Sequence, residues 1–195
     1  KTQIPFIGDI PTSDDVGELI KSESRTSSAE AIRIVRTNLE FMLNKVPEGV
    51  AKTLFVTSTF SSEGKTFISV NLAATFALSG RRVLLIGMDI RNPKFAEYID
   101  VPSLGLTNYL SSGESNIEDY IIKHAGYDNF FILPSGIVPP NPAELLMSRK
   151  VDQLFEKLKK EYDYIIVDTA PVSLVTDTLL VAKNADTFVY VMRAN

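Results

Sequence analysis

Ser58-Thr59-Phe60-Ser61-Ser62-Glu63-Gly64-Lys65-Thr66 is the stretch that decides the fold. A short β-branched run at 53–57 precedes it, and an apolar helical pattern over 67–78, closed by Gly80, follows it. Strand, turn ending Gly-Lys-Thr, then helix is the setting of a triphosphate-binding loop. The first N–H groups of a helix have no intrahelical acceptor and favour anions. Gly64 lets the chain pass close to a phosphate, Lys65 reaches the β- and γ-phosphates as a point charge, and Thr66 offers a hydroxyl to Mg²⁺. Thr59, Ser61, Ser62, Glu63, Gly64, Lys65, Thr66 and Phe67 are therefore the candidate nucleotide contacts. A strict loop carries Gly where this chain has Thr59. The competing reading, an ordinary strand-to-helix turn, is opposed by two acids further along.

Asp168 closes the apolar run Tyr164-Ile165-Ile166-Val167, and Asp89 closes Leu85-Ile86-Gly87-Met88. In a parallel sheet the ligand crevice lies at the carboxyl ends of the strands. Mg²⁺ needs only one or two carboxylates besides phosphates and water. Thr66, Asp89 and Asp168 are the candidate metal ligands, and Lys65, Asp89 and Asp168 the candidate catalytic groups. The plainer readings are a helix cap for Asp168 and a surface turn before Asn92-Pro93 for Asp89.

Outward from this centre the chain alternates. Apolar strands are expected at 82–88, 129–133, 164–168 and 187–192, with helices over 142–162 and 177–183 and short helices within 103–125. Continuous apolar strands separated by helices predict an α/β fold, P-loop NTPase-like, with a mostly parallel central sheet flanked by helices on both faces. Upstream, Ile32, Val35, Leu39, Met42 and Val46 form one helical stripe, capped by Ser27 or Ser28 and ended by Pro47. Glu30, Arg33 and Arg36 lie off that stripe; by themselves they read as a solvated, charged helix face. Residues 1–25 read as an extended lead-in with a short edge strand at 4–7. The expected organisation is one ATP-binding domain: lead-in 1–25, helix 26–47 and core 51–195.

Composition narrows the function. The 195 residues are 45% hydrophobic and 23% charged, with no cysteine and a single histidine, His124. Disulfides, thiolate metal sites and cysteine nucleophiles are excluded, and a histidine metal cluster is hard to build. A net charge of −4 argues against a dedicated nucleic-acid binder. No apolar run reaches the roughly 18 residues of a membrane-spanning helix. The start has no signal-peptide core, and its first residue is not Met, so a piece of a longer protein is expected. No Gly-x-Gly-x-x-Gly is present, which removes a dinucleotide fold.

Taken together and in order, these stretches resemble the cytoplasmic kinase domain of the bacterial tyrosine kinases (BY-kinases) of capsule and exopolysaccharide export. The lead-in Ile4-Pro5-Phe6-Ile7-Gly8-Asp9-Ile10-Pro11, the Glu30-x-x-Arg33-x-x-Arg36-Thr37 helix and the loop ending Gly64-Lys65-Thr66 carry the likeness. So do Asp89-Ile90-Arg91-Asn92-Pro93, Asp168-Thr169-Ala170-Pro171, Pro134-Ser135-Gly136 and Pro139-Pro140-Asn141-Pro142-Ala143-Glu144-Leu145-Leu146. The resemblance implies an ATP- and Mg²⁺-dependent kinase that phosphorylates tyrosines on neighbouring copies and regulates polysaccharide polymerisation and export. It implies a ring-like homo-oligomer joined through Glu30, Arg33 and Arg36. It also implies a cytoplasmic domain attached to an N-terminal transmembrane and periplasmic region, or served by a separate membrane activator. Two departures stand out. Many members have Asp-x-Asp where this chain has Gly87-Met88-Asp89. Members also end in a tyrosine-rich tail, whereas this chain stops at Asn195 and its seven tyrosines do not cluster. The rival is a nucleotide-dependent assembly or switch ATPase of the same class, with weak kinase activity or none. Partitioning and division-site ATPases carry Lys-Gly-Gly-x-Gly-Lys-Thr, and Phe60 stands at the position of that first Lys.

Overall fold

In the computed structural model, residues 3–12 and 19–194 are described. The part of the expected lead-in at 1–2 and 13–18, with Gly17, and the terminal Asn195 lie outside them. The sheet runs β3(Ile122–Lys123), β4(Phe130–Leu133), β2(Val83–Gly87), β5(Tyr164–Asp168), β1(Lys52–Ser58), β6(Thr187–Val191) in spatial order. All neighbours are parallel except the β3–β4 pair at one edge.

The period of two along each strand builds two cores. Leu54, Val56, Val83, Leu85 and Ile166 point to one face, where they meet α1(Ser27–Met42) and α2(Lys65–Leu78). Phe55, Leu84, Ile86, Ile165 and Val167 point to the other, against α5(Arg149–Leu158). Strands buried on both sides cannot show polar alternation, which is why they read as unbroken apolar runs. Helix α2 is buried almost throughout because the sheet lies on one side and α1 on the other. Its Phe76 stacks on Tyr164 with ring centroids 4.0 Å apart. Its Asn71 accepts the Ile20 N–H, while the Tyr127 hydroxyl donates to the Ile20 carbonyl.

Several boundaries differ from expectation. Helix α1 is capped by Thr26, whose hydroxyl accepts the Ala29 N–H, not by Ser27 or Ser28. It ends at Met42, before Pro47, in a turn where Val46 N–H bonds to the Leu43 carbonyl. Residues 4–7 form no strand. They run beside α1, where the Ile7 carbonyl accepts from Asn38, and a helix offers no ladder to join. Helix α2 starts at Lys65, two residues before the expected 67. The 142–162 stretch is two helices, α4(Pro142–Leu146) and α5, and the 103–125 stretch contains α3(Leu106–Ser111), a 3-10 turn and β3. The last helix is α6(Asp177–Val181).

Candidate active site

Asp168 is fixed by two ladders at once: it pairs with Val56 on β1 and with Gly87 on β2. The N–H groups of Met88 and Asp89 both donate to the Asp168 carbonyl, so β2 is tied to β5 where it ends. The carboxyl ends of β1, β2 and β5 thereby deliver the phosphate loop, Asp89 and Asp168 to one crevice.

The loop before α2 turns twice through the left-handed region, at Ser62 (φ 66°) and Gly64 (φ 91°). Turns of this hand let successive backbone N–H groups converge on an anion. The Ile68 N–H bonds to the Gly64 carbonyl, so N–H groups ahead of it have no intrahelical acceptor. The Glu63 carboxylate is taken up inside the loop, accepting the Phe60 N–H at 2.8 Å.

At the head of α2 the side chains form a closed cluster. Lys65 Nζ lies 3.2 Å from Asp89 Oδ2 and 3.3 Å from Asp168 Oδ1. The Thr66 hydroxyl donates to Asp168 Oδ2 at 2.8 Å, and Ser69 Oγ to Asp168 Oδ1 at 3.1 Å. Asn92 N–H donates to Asp89 Oδ1. All of Lys65, Thr66, Asp89 and Asp168 are buried. Burial pushes the Asp168 carboxyl above its ordinary range and Asp89 adds to the rise, while Lys65 and the Thr66 hydroxyl pull it back. Removing one partner from such a buried pair typically costs about 3–5 kcal/mol.

Lys65, Thr66, Asp89 and Asp168 thus come together as the sequence indicates. Thr59 sits at the loop's shoulder, with its hydroxyl bonded to Tyr190 and its carbonyl accepting from Ser173. Glu30, Arg33 and Arg36 are elsewhere. Arg33 pairs with Glu30 at 2.8 Å and donates to the Ser24 and Lys21 carbonyls. Arg36 donates to the Thr75 carbonyl on α2, and its Nε is buried without a partner. Thr75 lies about 15 Å along the helix from Lys65 at the α-helical rise.

Three features escaped the sequence reading. Ser69 stands one helical turn after Lys65, so i,i+4 spacing was the available signal. Arg91 makes a two-pronged pair with buried Asp177, at 2.7 and 3.0 Å, which binds the segment after Asp89 to α6; no local pattern announces it. The third is at Gly87. A Cβ there would stand 2.5 Å from Ser135 Oγ, 3.0 Å from Ser135 N and 3.1 Å from Phe95 Cε2. The space that a side chain on residue 87 would need is already filled by Ser135.

Could this cluster hold Mg²⁺? Among the described residues no three His, Cys, Asp or Glu side chains gather closely enough to bind a metal by themselves. Two carboxylates and a hydroxyl are nevertheless hard oxygen donors, the set that suits Mg²⁺ shared with phosphates. The residues fit the ion on that condition.

A buried lysine between two strand-end carboxylates, at the head of a helix opened by Gly-Lys-Thr, defines a P-loop nucleotide-binding domain. The family model described as an AAA domain matches residues 51–193. The tyrosine-protein kinase CpsD of Streptococcus agalactiae is 36% identical over 181 residues, covering 91% of this chain and 76% of that protein. The chain belongs to the family of bacterial tyrosine-protein kinases. Etk of Escherichia coli K12 is 36% identical over 168 residues, 86% of this chain but 22% of that longer protein. The solved Etk kinase domain superposes with a TM-score of 0.79 at 31% identity, covering 96% of this chain and 79% of that one. The septum site-determining protein MinD of Pyrococcus horikoshii, solved with Mg-ADP, gives a TM-score of 0.60 at 25% identity, covering 73% and 58%.

Proposed function

We propose that this chain binds ATP with Mg²⁺ and transfers the γ-phosphoryl group to tyrosine hydroxyls of other copies, as a protein-tyrosine kinase domain. The observation that carries the proposal is the Lys65 ammonium bridging Asp89 and Asp168 beside the loop. That ammonium is a mobile point charge satisfied by two carboxylates. Incoming phosphates offer it a denser anion. When Lys65 turns to them, both carboxylates lose the ammonium together: Asp89 Oδ2 is left free, while Asp168 Oδ1 keeps the Ser69 hydroxyl. Asp168, held by Thr66 and Ser69, and Thr66 itself are then the groups for Mg²⁺. Asp89, with Oδ1 still anchored by Asn92 N–H, presents its freed oxygen to the entering tyrosine hydroxyl and accepts its proton. The loop N–H groups from Ser61 to Phe67 and Lys65 offset charge on the transferring group. Bound Mg²⁺ would supply charge neutralisation across the β- and γ-phosphates.

Around this centre the reading extends to assembly. Glu30, Arg33 and Arg36 form the contact with a neighbouring copy in a ring. A tyrosine-rich tail of that neighbour is the acceptor. An N-terminal membrane region or a separate membrane activator accompanies the domain at the cytoplasmic face, and the biological output is regulation of capsular or exopolysaccharide polymerisation and export. The likeness to CpsD and Etk supports this reading, since both bear the name tyrosine-protein kinase.

A second reading, a nucleotide-dependent switch with little kinase activity, draws on the likeness to MinD and on Gly87, where an acid is missing. One assay separates them. The protein is mixed with ATP, Mg²⁺ and a tyrosine-bearing copolymer, with Lys65→Met as control. Phosphotyrosine that vanishes in the variant supports the kinase. Free phosphate without phosphotyrosine supports the switch.

A further inference from the structure

Of the two strand-end acids, only one is fixed by the sheet. Asp168 is the last residue of β5, and Thr66 and Ser69 donate to its two oxygens. Asp89 lies beyond Gly87, where β2 ends, and has no ladder partner among the described residues. Its Oδ2 meets Lys65 and its Oδ1 accepts the Asn92 N–H, so the carboxylate is only as well placed as the turn 89–92. That turn is gripped from outside. Arg91 Nε and Nη2 donate to Asp177 Oδ2 and Oδ1 at 2.7 and 3.0 Å. Asp177 is buried and opens α6. The next residue, Thr178, donates to the Ala170 carbonyl at 2.7 Å, and Thr57 of β1 donates to the same carbonyl at 3.1 Å. Ala170 stands two residues after Asp168. The contacts therefore close a circuit, from Asp89 through Asn92, Arg91, Asp177, Thr178 and Ala170 back to Asp168.

We propose that Arg91 and Asp177 are positioning residues for Asp89, holding its carboxylate in the crevice once Lys65 has turned to the nucleotide. The inference rests on the kinase reading above. While Lys65 bridges the two acids, the ammonium itself keeps them together. When it leaves, Asp89 retains one side-chain hydrogen bond, from Asn92. The charges at Asp168 then act on it in a poorly solvated site, where they are felt more strongly than in water. Asp168 is pinned by its strands and by two hydroxyls, so any displacement falls on Asp89. The grip on Arg91 resists it, because a planar guanidinium on a carboxylate fixes direction as well as distance. Arg91 is also the cation that stays. Asp177 above all, and Asp89 through its charge, favour its protonated form, so a positive charge remains near Asp89 after Lys65 has gone. A proton acceptor misplaced by about 1 Å can cost a hundredfold in rate. The contribution of the pair therefore appears in phosphoryl transfer and not in ATP binding.

The test uses the whole chain. Phosphorylation of a Glu-Tyr copolymer with ATP and Mg²⁺ gives kcat, and a non-hydrolysable ATP analogue with Mg²⁺ gives the affinity, for the parent, Arg91→Lys and Asp177→Asn. Arg91→Lys keeps the charge and loses the fork. It should lower kcat by about 10- to 100-fold while the analogue's affinity moves by less than about twofold. Asp89→Asn supplies a second readout. Adding Arg91→Lys to it should lower the remaining rate by less than about twofold, because the group being positioned is already gone. Asp177→Asn should match Arg91→Lys; if it does not fold, Arg91→Lys decides. Three results overturn the proposal: a parental kcat in Arg91→Lys, a loss of analogue affinity as large as the loss of kcat, or the full further fall in the Asp89→Asn background. A parent that leaves no phosphotyrosine on the copolymer refutes the kinase reading and this inference with it. An active parent with an equally active Arg91→Lys refutes this inference alone.

Discussion

Replacing Gly87 by Ala adds one carbon at the centre of the site, and the structure says what it meets. Ser135 Oγ would be 2.5 Å away, Ser135 N 3.0 Å and Phe95 Cε2 3.1 Å. The first can swing aside, but the second is backbone on the neighbouring chain segment and the third a ring packed in the core. Overpacking of this kind costs about 1–3 kcal/mol. Against it stands a gain of about 0.5–1 kcal/mol, because a strand glycine loses more backbone freedom on folding than alanine. The net expectation is a destabilisation of about 0.5–2 kcal/mol, a fall in Tm of roughly 1–8 °C for a domain of this size. A double-mutant cycle by urea denaturation isolates the cause. Ser135→Ala removes the nearest atom, so the pair should be more stable than the sum of the singles by about 1 kcal/mol. Gly87→Ala as stable as the parent, or strict additivity with Ser135→Ala, would refute the packing argument. Gly87→Asp should be worse than Gly87→Ala, since it adds a third carboxylate beside Asp168 and Asp89 to the same clash. An acid at residue 87 is compatible with this site only after Ser135 has changed.

Other expectations follow from the same geometry. Lys65→Met leaves two buried carboxylates facing each other. It should abolish phosphotyrosine formation and lower stability by about 3–5 kcal/mol, and a variant that still labels the copolymer contradicts the role given to Lys65. Burial pushes the Tyr127 phenol up to about 12, so its contribution to stability is whole below pH 10 and drains as pH rises toward 12, the unfolded chain ionising first. By pH 11 the loss is about 1.4 kcal/mol, and Tyr127→Phe should flatten the alkaline limb of a stability–pH curve by that amount; an unchanged limb counts against it. Arg33→Ala with Arg36→Ala should shift the sedimentation profile to smaller species, and an unchanged oligomer removes these residues from the interface.

What could be read beforehand was whatever the chain encodes locally. Strands β1, β2 and β5 were legible because burial on both faces demands unbroken apolar runs. The phosphate loop was legible because its chemistry sits in consecutive residues. The N-cap was not, since Thr26, Ser27 and Ser28 are equivalent caps by sequence and only the burial of Ser28 and Ala29 selects Thr26. Strand β3, two residues long, is too short to have a period and exists because β4 offers it an edge. The sequence brought Lys65, Asp89 and Asp168 to one crevice, but that the lysine bridges both acids depends on register across three strands. Arg91 and Asp177 meet only because β2 and α6 end at the same rim.

The double ladder at Asp168 bears on how such a domain can diversify. Its carboxylate is located by pairing with Val56 on one side and Gly87 on the other, so the lengths of β1, β2 and β5 are interdependent. A single inserted residue in any of them exchanges the two cores, side chain for side chain, and moves an acid off the rim. Insertions between the strands disturb neither. Lineages of this fold are thus free to rewrite loops and acceptors while the three strands that carry the chemistry keep their count.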